Sequence, residues 1–229
     1  MMPQILFDYF VLGMGYKIDE KNNLLVRKVI HTGDGFKTTR LPGGCVQLID
    51  VVNALGEFCE DSEDRQHLLA LKNCQNLFTL FDSNTNKFKE GVQRTYITMA
   101  DREIQANFNP EDVLKILESS KLNTLKRETE DETGCTFSSA VNGPFSKPHS
   151  NSSHTKFGYV IFDMMGPDVF EGSGESEIQE SSWVDFIIMH QQVINSHRNL
   201  YKGLLKIIRD DLMKKKIYSV AKQVSQFID

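Results

Sequence analysis

Tryptophan occurs once in the 229 residues, proline six times and cysteine four times. The cysteines, Cys45, Cys59, Cys74 and Cys135, form no CxxC pair. With no export signal in view, they are expected as reduced thiols of a reducing compartment. A chain this long also buries enough core to fold without a disulfide or metal staple. No apolar run reaches the roughly 18–20 residues that span a bilayer, so no membrane partner is expected. The opening MMPQILFDYFVLGMGYKID has no basic stretch ahead of a full apolar core. A secretory signal is therefore not expected, and a cytoplasmic location is. The sequon Asn151-Ser152-Ser153 is then incidental. Internal repeats and long low-complexity tracts are missing as well. With 40% hydrophobic and 25% charged residues, the composition excludes a wholly disordered chain and a coiled coil.

What is present is unevenly spread. The net charge is −5. Residues 1–44 hold six basic and four acidic side chains, residues 45–120 hold seven and thirteen, and residues 121–229 hold thirteen and fourteen. The excess of acid thus belongs to the middle third, a composition shift that marks an inserted segment.

The spacing of apolar residues predicts strands over 5–18 and 24–30, joined at Asn22-Asn23 as a hairpin. A short extended run, 36–41, ends at a turn formed by Pro42-Gly43-Gly44. Helical spacing follows over 46–58 and 68–81, then a loop at 82–86, and 92–104 is ambiguous between strand and other structure. Asn109-Pro110-Glu111-Asp112 reads as a helix start, with Asn as cap and Pro at the first position. Residues 121–133 read as a further helix, closed by Gly134. Strands are expected at 137–141, 157–165 and 183–189, loops at 142–156 and 166–180, and helix from 198 to 228. The pattern is mixed α/β, of the α+β kind, with a substantially antiparallel sheet.

The chemistry-bearing string is Arg127-Glu128-Thr129-Glu130-Asp131-Glu132-Thr133-Gly134-Cys135. On a helix, Glu128, Asp131 and Glu132 stand at i, i+3 and i+4, so three carboxylates share one face and repel. A divalent cation removes that cost, and hard oxygen donors suit Mg²⁺ or Mn²⁺. The plain alternative is a solvated acidic face.

Leu41-Pro42-Gly43-Gly44, taken with Arg127-Glu128-x-x-Asp131-Glu132-x-Gly134, resembles the signature of the Nudix hydrolases. The family form is G-x5-E-x7-R-E-U-x-E-E-x-G-U, with U apolar. The strand LLVRKV before the turn, the strand FGYVIFDMM after the box, the acidic stretch leading to Trp183-Val184 and the closing helix agree with it. The family spacing between Gly44 and Arg127 is about fourteen residues, whereas here 82 intervene. The motif is split by an insertion at about 45–120, and Asp50, Glu57 and Glu118 are candidates for its first acid. Asp131 stands where the family more often has Glu.

The resemblance implies a Nudix-like α/β/α sandwich with a mixed sheet, a single domain over 1–229, and a mainly helical cap inserted at 45–120. Carried over, Glu128 is a metal ligand or the base that activates water, and Asp131 and Glu132 are metal ligands. Glu132 also belongs to the catalytic set. Arg127 orients the cluster. Gly43, Gly44 and Gly134 shape the backbone, and Glu177 or Glu180 adds a further ligand. The implied activity is divalent-metal-dependent cleavage of a pyrophosphate bond in a nucleoside diphosphate linked to another moiety. The alternative is a catalytically weak binding module of the same fold, for nucleotide, RNA or a protein partner. A nucleotide-type small molecule is the expected substrate, and a homodimer through the inserted segment is open.

The remaining candidates are weaker. His31, His67, His149, His154, His190 and His197 form no zinc spacing, although His149 and His154 lie in a loop able to overhang a site. Trp183 reads as packing rather than base stacking. Lys214-Lys215-Lys216 suits a helix C-terminus more than a nucleic-acid backbone.

Overall fold

The computed structural model describes residues 6–32, 37–47, 50, 53–54, 81–82, 87–88, 110–143, 155–172, 178–194 and 198–228. Two compact units are present, Met1–Phe10 with Cys45–Thr124 and Val11–Gly44 with Leu125–Asp229. In chain order the elements are β1 (Leu6–Ile18), β2 (Leu24–His31), β3 (Thr38–Arg40), β4 (Gly43–Gln47), β5 (Phe81–Asp82), β6 (Lys87–Phe88) and α1 (Pro110–Thr133). They continue with β7 (Ser139–Gly143), β8 (Thr155–Phe162), β9 (Val169–Glu171), β10 (Ile178–Asp185) and α2 (Phe186–Met189), which runs into a π-helical turn at His190–Ile194. Two helices close the order, α3 (Arg198–Lys214) and α4 (Tyr218–Ser225). The fold is mixed α+β, as the apolar pattern predicts.

An eight-stranded sheet runs β7-β8-β1-β2-β10-β9, with β3 added to β2 and β4 to β1. The hairpin β1–β2 is closed where two asparagines stand. Asp19 accepts from the backbone N–H of Lys21 and Asn23, while Asn22 takes a left-handed φ of 62°. β2 is flanked on both edges. β10 pairs with it from Leu25 to His31, while β1 pairs at Leu24–Val26 and β3 at Val29–His31 on the other edge. That central place explains why Leu24, Val26, Arg27, Val29 and Ile30 are all buried, rather than every second residue.

In the second unit each sheet face carries a helix. Gly13 and Arg27 point to one face, where a Cβ on Gly13 would meet Ile161 Cδ1 at 2.4 Å and Leu125 Cδ1 of α1 at 2.8 Å. Tyr16 points to the other, donating to Asp211 of α3 and meeting Phe162 edge-on. α3 buries Tyr201, Leu204, Leu205, Ile208 and Leu212, an i, i+3, i+4, i+7 stripe, and α4 packs beside it through Val220, Ala221 and Val224.

Several elements differ from the sequence expectation. α1 is one 24-residue helix rather than two. Gly43–Gln47 is a strand, not a turn leading into helix. Residues 169–171 form β9 within an expected loop, and the strand expected at 183–189 gives way to helix at Phe186. A left-handed Lys216, φ 62°, divides the expected C-terminal helix in two. In the first unit β5 and β6 pair antiparallel, so Phe81, expected as the last residue of a helix, is in strand. Asp50, Asn53 and Ala54 are helical, and the rest of the helices expected over 46–58 and 68–81 lies outside the described residues. No described helix is long and apolar enough to cross a membrane.

Candidate active site

Residues 43–44 and 127–132 are far apart in the chain and meet in the second unit. Gly43 must be glycine: its φ is 151°, and a Cβ there would lie 2.0 Å from the carbonyl oxygen of Val11. The bare backbone leaves its N–H aimed at α1, where it donates to Glu132 Oε2 at 2.8 Å. Arg40, at the end of β3, donates to the other oxygen of Glu132. Next to it, Gly44 lies flat against Glu128, whose carboxylate atoms would stand 2.3–2.8 Å from a Cβ. Arg127 Nη1 donates to Glu128 Oε1 at 2.7 Å. Gly134 ends α1 with φ 63°, its N–H on the carbonyl of Glu130 at 2.8 Å.

Burial sets the electrostatics. It pushes Glu132 up to about 7, with repulsion from Glu128 adding to the rise while Arg40 and the Gly43 N–H oppose it. Glu128 is also raised, first by burial and further by Asp131, against the pull of Arg127 and Arg40. Asp131 itself is exposed on the same turn. Arg40 and Arg127 thus each bond one of these carboxylates, Glu132 and Glu128 respectively.

Among the described residues no three His, Cys, Asp or Glu side chains stand together as a ready metal cluster. The pair Glu128 and Glu132 still suits a hard divalent ion. Mg²⁺ takes only one or two protein carboxylates and completes its shell with water and phosphate oxygens.

The other candidates lie elsewhere. Asp50 is buried in the first unit, accepting from Gln47 N–H and Thr124 Oγ1, each at 2.9 Å. Glu118 is exposed and paired with Lys121. Glu180 accepts from Ser182 Oγ at 2.8 Å and approaches Lys28. Its neighbour Ser181 bonds Arg27 on the α1 side of the sheet, so strand alternation turns Glu180 to the opposite face. Glu57, Glu177, His149 and His154 lie outside the described residues.

Two arginines were not singled out by sequence. Arg40 is one; its only signal was a cation directly ahead of the Leu-Pro-Gly-Gly turn. Arg27 is the other, fully buried. It donates to Ser181 Oγ and to the carbonyls of Thr133, Pro167 and Asp168, all within 2.8–2.9 Å, and so ties the end of α1 to β2 and β10. Trp183 packs beneath it with Lys17 over the ring.

No family model matches the chain, and no curated protein sequence matches it. Among solved structures, it is similar to one of MutT, described for the fish pathogen Aliivibrio salmonicida and for Vibrio cholerae. The identity is 10% and the TM-score 0.33, over 80% of this chain and 85% of that one. A likeness of that size assigns neither family nor residue roles.

Proposed function

We propose that the chain is a Nudix-type hydrolase that cleaves a pyrophosphate bond in a nucleoside diphosphate linked to another moiety, with a divalent metal. What supports this reading is one observation. Gly43-Gly44 and Glu128/Glu132, separated by 82 intervening residues ahead of Arg127, are in contact as the continuous form of the motif would require. Glu128 and Glu132 would hold Mg²⁺ or Mn²⁺, with Asp131 beside them. When bound, the ion supplies Lewis acidity toward a phosphoryl oxygen. The chain's own groups do the rest. The Gly43 N–H fixes the Glu132 carboxylate, Arg127 orients Glu128, and Glu128 serves as metal ligand or as the base that takes the proton of the attacking water.

The test is turnover of a nucleotide panel with Mg²⁺, products read by mass, for the parent and Glu132→Gln. A drop of about 100-fold or more in kcat is expected in a variant that still melts cooperatively. Equal turnover would sink the assignment.

One feature favours a second reading, the weakly catalytic binding module. Both oxygens of Glu132 are already engaged by the chain itself. Calorimetry showing nucleotide binding with neither metal dependence nor turnover would decide for that module.

A further inference from the structure

Arg27 and Arg40 are both partly or wholly buried, yet they are held differently. Arg27 has Nε, Nη1 and Nη2 all hydrogen-bonded to neutral oxygens, which is how a permanent structural guanidinium is satisfied. Arg40 bonds Glu132 through Nη2, while its buried Nε has no hydrogen-bond partner among the described residues. The Arg40 side chain is 32% exposed and that of Glu132 only 6%. Arg40 is therefore the more exposed partner of this ion pair and Glu132 the buried one. Its charge reaches Glu128 as well as Glu132.

We propose that Arg40 is an exchangeable counter-cation of the Glu128–Glu132 pair. It offsets the charge of Glu132 while no divalent ion is bound and gives up Glu132 to the ion. Its guanidinium then takes the diphosphate of the substrate. The inference rests on the hydrolase reading above. Its physical basis is that a guanidinium and a metal ion repel and compete for one carboxylate oxygen. A planar fork of donors also fits phosphate oxygens as well as it fits a carboxylate. Arg40 thus opposes metal binding alone and favours the binding of metal with diphosphate.

Mn²⁺ is titrated, with paramagnetic detection, into the full chain and into Arg40→Gln, Arg40→Lys and Glu132→Gln, with and without imidodiphosphate. Arg40→Gln is expected to bind Mn²⁺ alone about fivefold or more tighter than the parent. It is also expected to bind imidodiphosphate in the presence of Mn²⁺ more weakly by a similar factor. These opposite signs separate the proposal from a merely structural arginine, whose loss would weaken both. Should Arg40→Gln fail to fold, Arg40→Lys decides. It keeps the charge, so Mn²⁺ affinity stays near the parent's, and it lacks the fork, so imidodiphosphate binding falls. Mn²⁺ affinity in Arg40→Gln equal to or below the parent's, with binding abolished by Glu132→Gln, overturns the proposal and leaves the hydrolase reading standing. So does undiminished imidodiphosphate binding in Arg40→Lys. Mn²⁺ binding that is absent, or indifferent to Glu132→Gln, overturns both.

Discussion

At the scale of single residues, Gly43 and Gly44 do different work although they are adjacent. A methyl on Gly43 would strike backbone, the carbonyl oxygen of Val11 at 2.0 Å and Leu12 Cα at 2.9 Å, and it would stand at a φ that L-residues avoid. For a methyl on Gly44 the nearest atoms are all at the end of the Glu128 side chain. Gly43→Ala is therefore expected to lower stability by about 3 kcal/mol or more in urea unfolding. Gly44→Ala is expected to lower it by about 1 kcal/mol or less, while turnover falls because Glu128 is displaced. Equal stability losses in the two would contradict the geometry. The sequence announced these glycines by their pairing with Arg127-Glu128. It did not announce Arg40, because a single cation in a short polar strand has no periodicity to mark it.

At the scale of elements, α1 shows why apolar spacing divides one helix into two. Its buried stripe is not built from aliphatic residues alone. Ser120, Thr124, Thr129 and Thr133 lie on it with Ile116 and Leu125. Two of those hydroxyls return to the carbonyl four residues back, Ser120 to Ile116 and Thr133 to Thr129, while that of Thr124 lies between the Ser120 carbonyl and Asp50. A hydroxyl satisfied by its own helix can be buried without a partner from elsewhere. A reading based on apolar period sees polar residues there and breaks the element. The same reasoning isolates Thr129, whose buried Oγ1 has no partner among the described residues. Thr129→Val keeps the shape and removes a buried, unsatisfied hydroxyl. It should raise stability by about 1 kcal/mol in thermal or urea unfolding. A loss of that size would mean the hydroxyl is satisfied after all. The C-terminal helices were legible in their stripe but not in their break, since Lys216 carries no turn signal of the glycine or asparagine kind.

At the scale of the whole chain, the mixed α+β class and the two motif halves could be read in advance. The meeting of those halves was implied by the resemblance alone, because no local pattern encodes a contact between positions 43 and 132. Another long-range bond, from Tyr16 to Asp211, joins β1 to α3 across 195 positions. Burial raises the Tyr16 hydroxyl above its ordinary value of 10.0, and the Asp211 hydrogen bond and charge raise it further. A folded value above the unfolded one gives stability that is complete below pH 10 and is lost as pH climbs. Tyr16→Phe is therefore expected to cost about 1–3 kcal/mol near neutrality. Its unfolding free energy should then fall less steeply than the parent's above pH 10. Parallel profiles from pH 9 to 11 would exclude that linkage.

The contact between Gly43 and Glu132 also has a consequence in time. Its partners are 89 positions apart. At the roughly 5–20 residues per second of protein synthesis, the Gly43 amide waits about 4–18 s for its acceptor to be made. Throughout that interval a nascent chain holds one half of the motif without the other. The chemistry proposed for this site can therefore begin only after position 132 has left the ribosome.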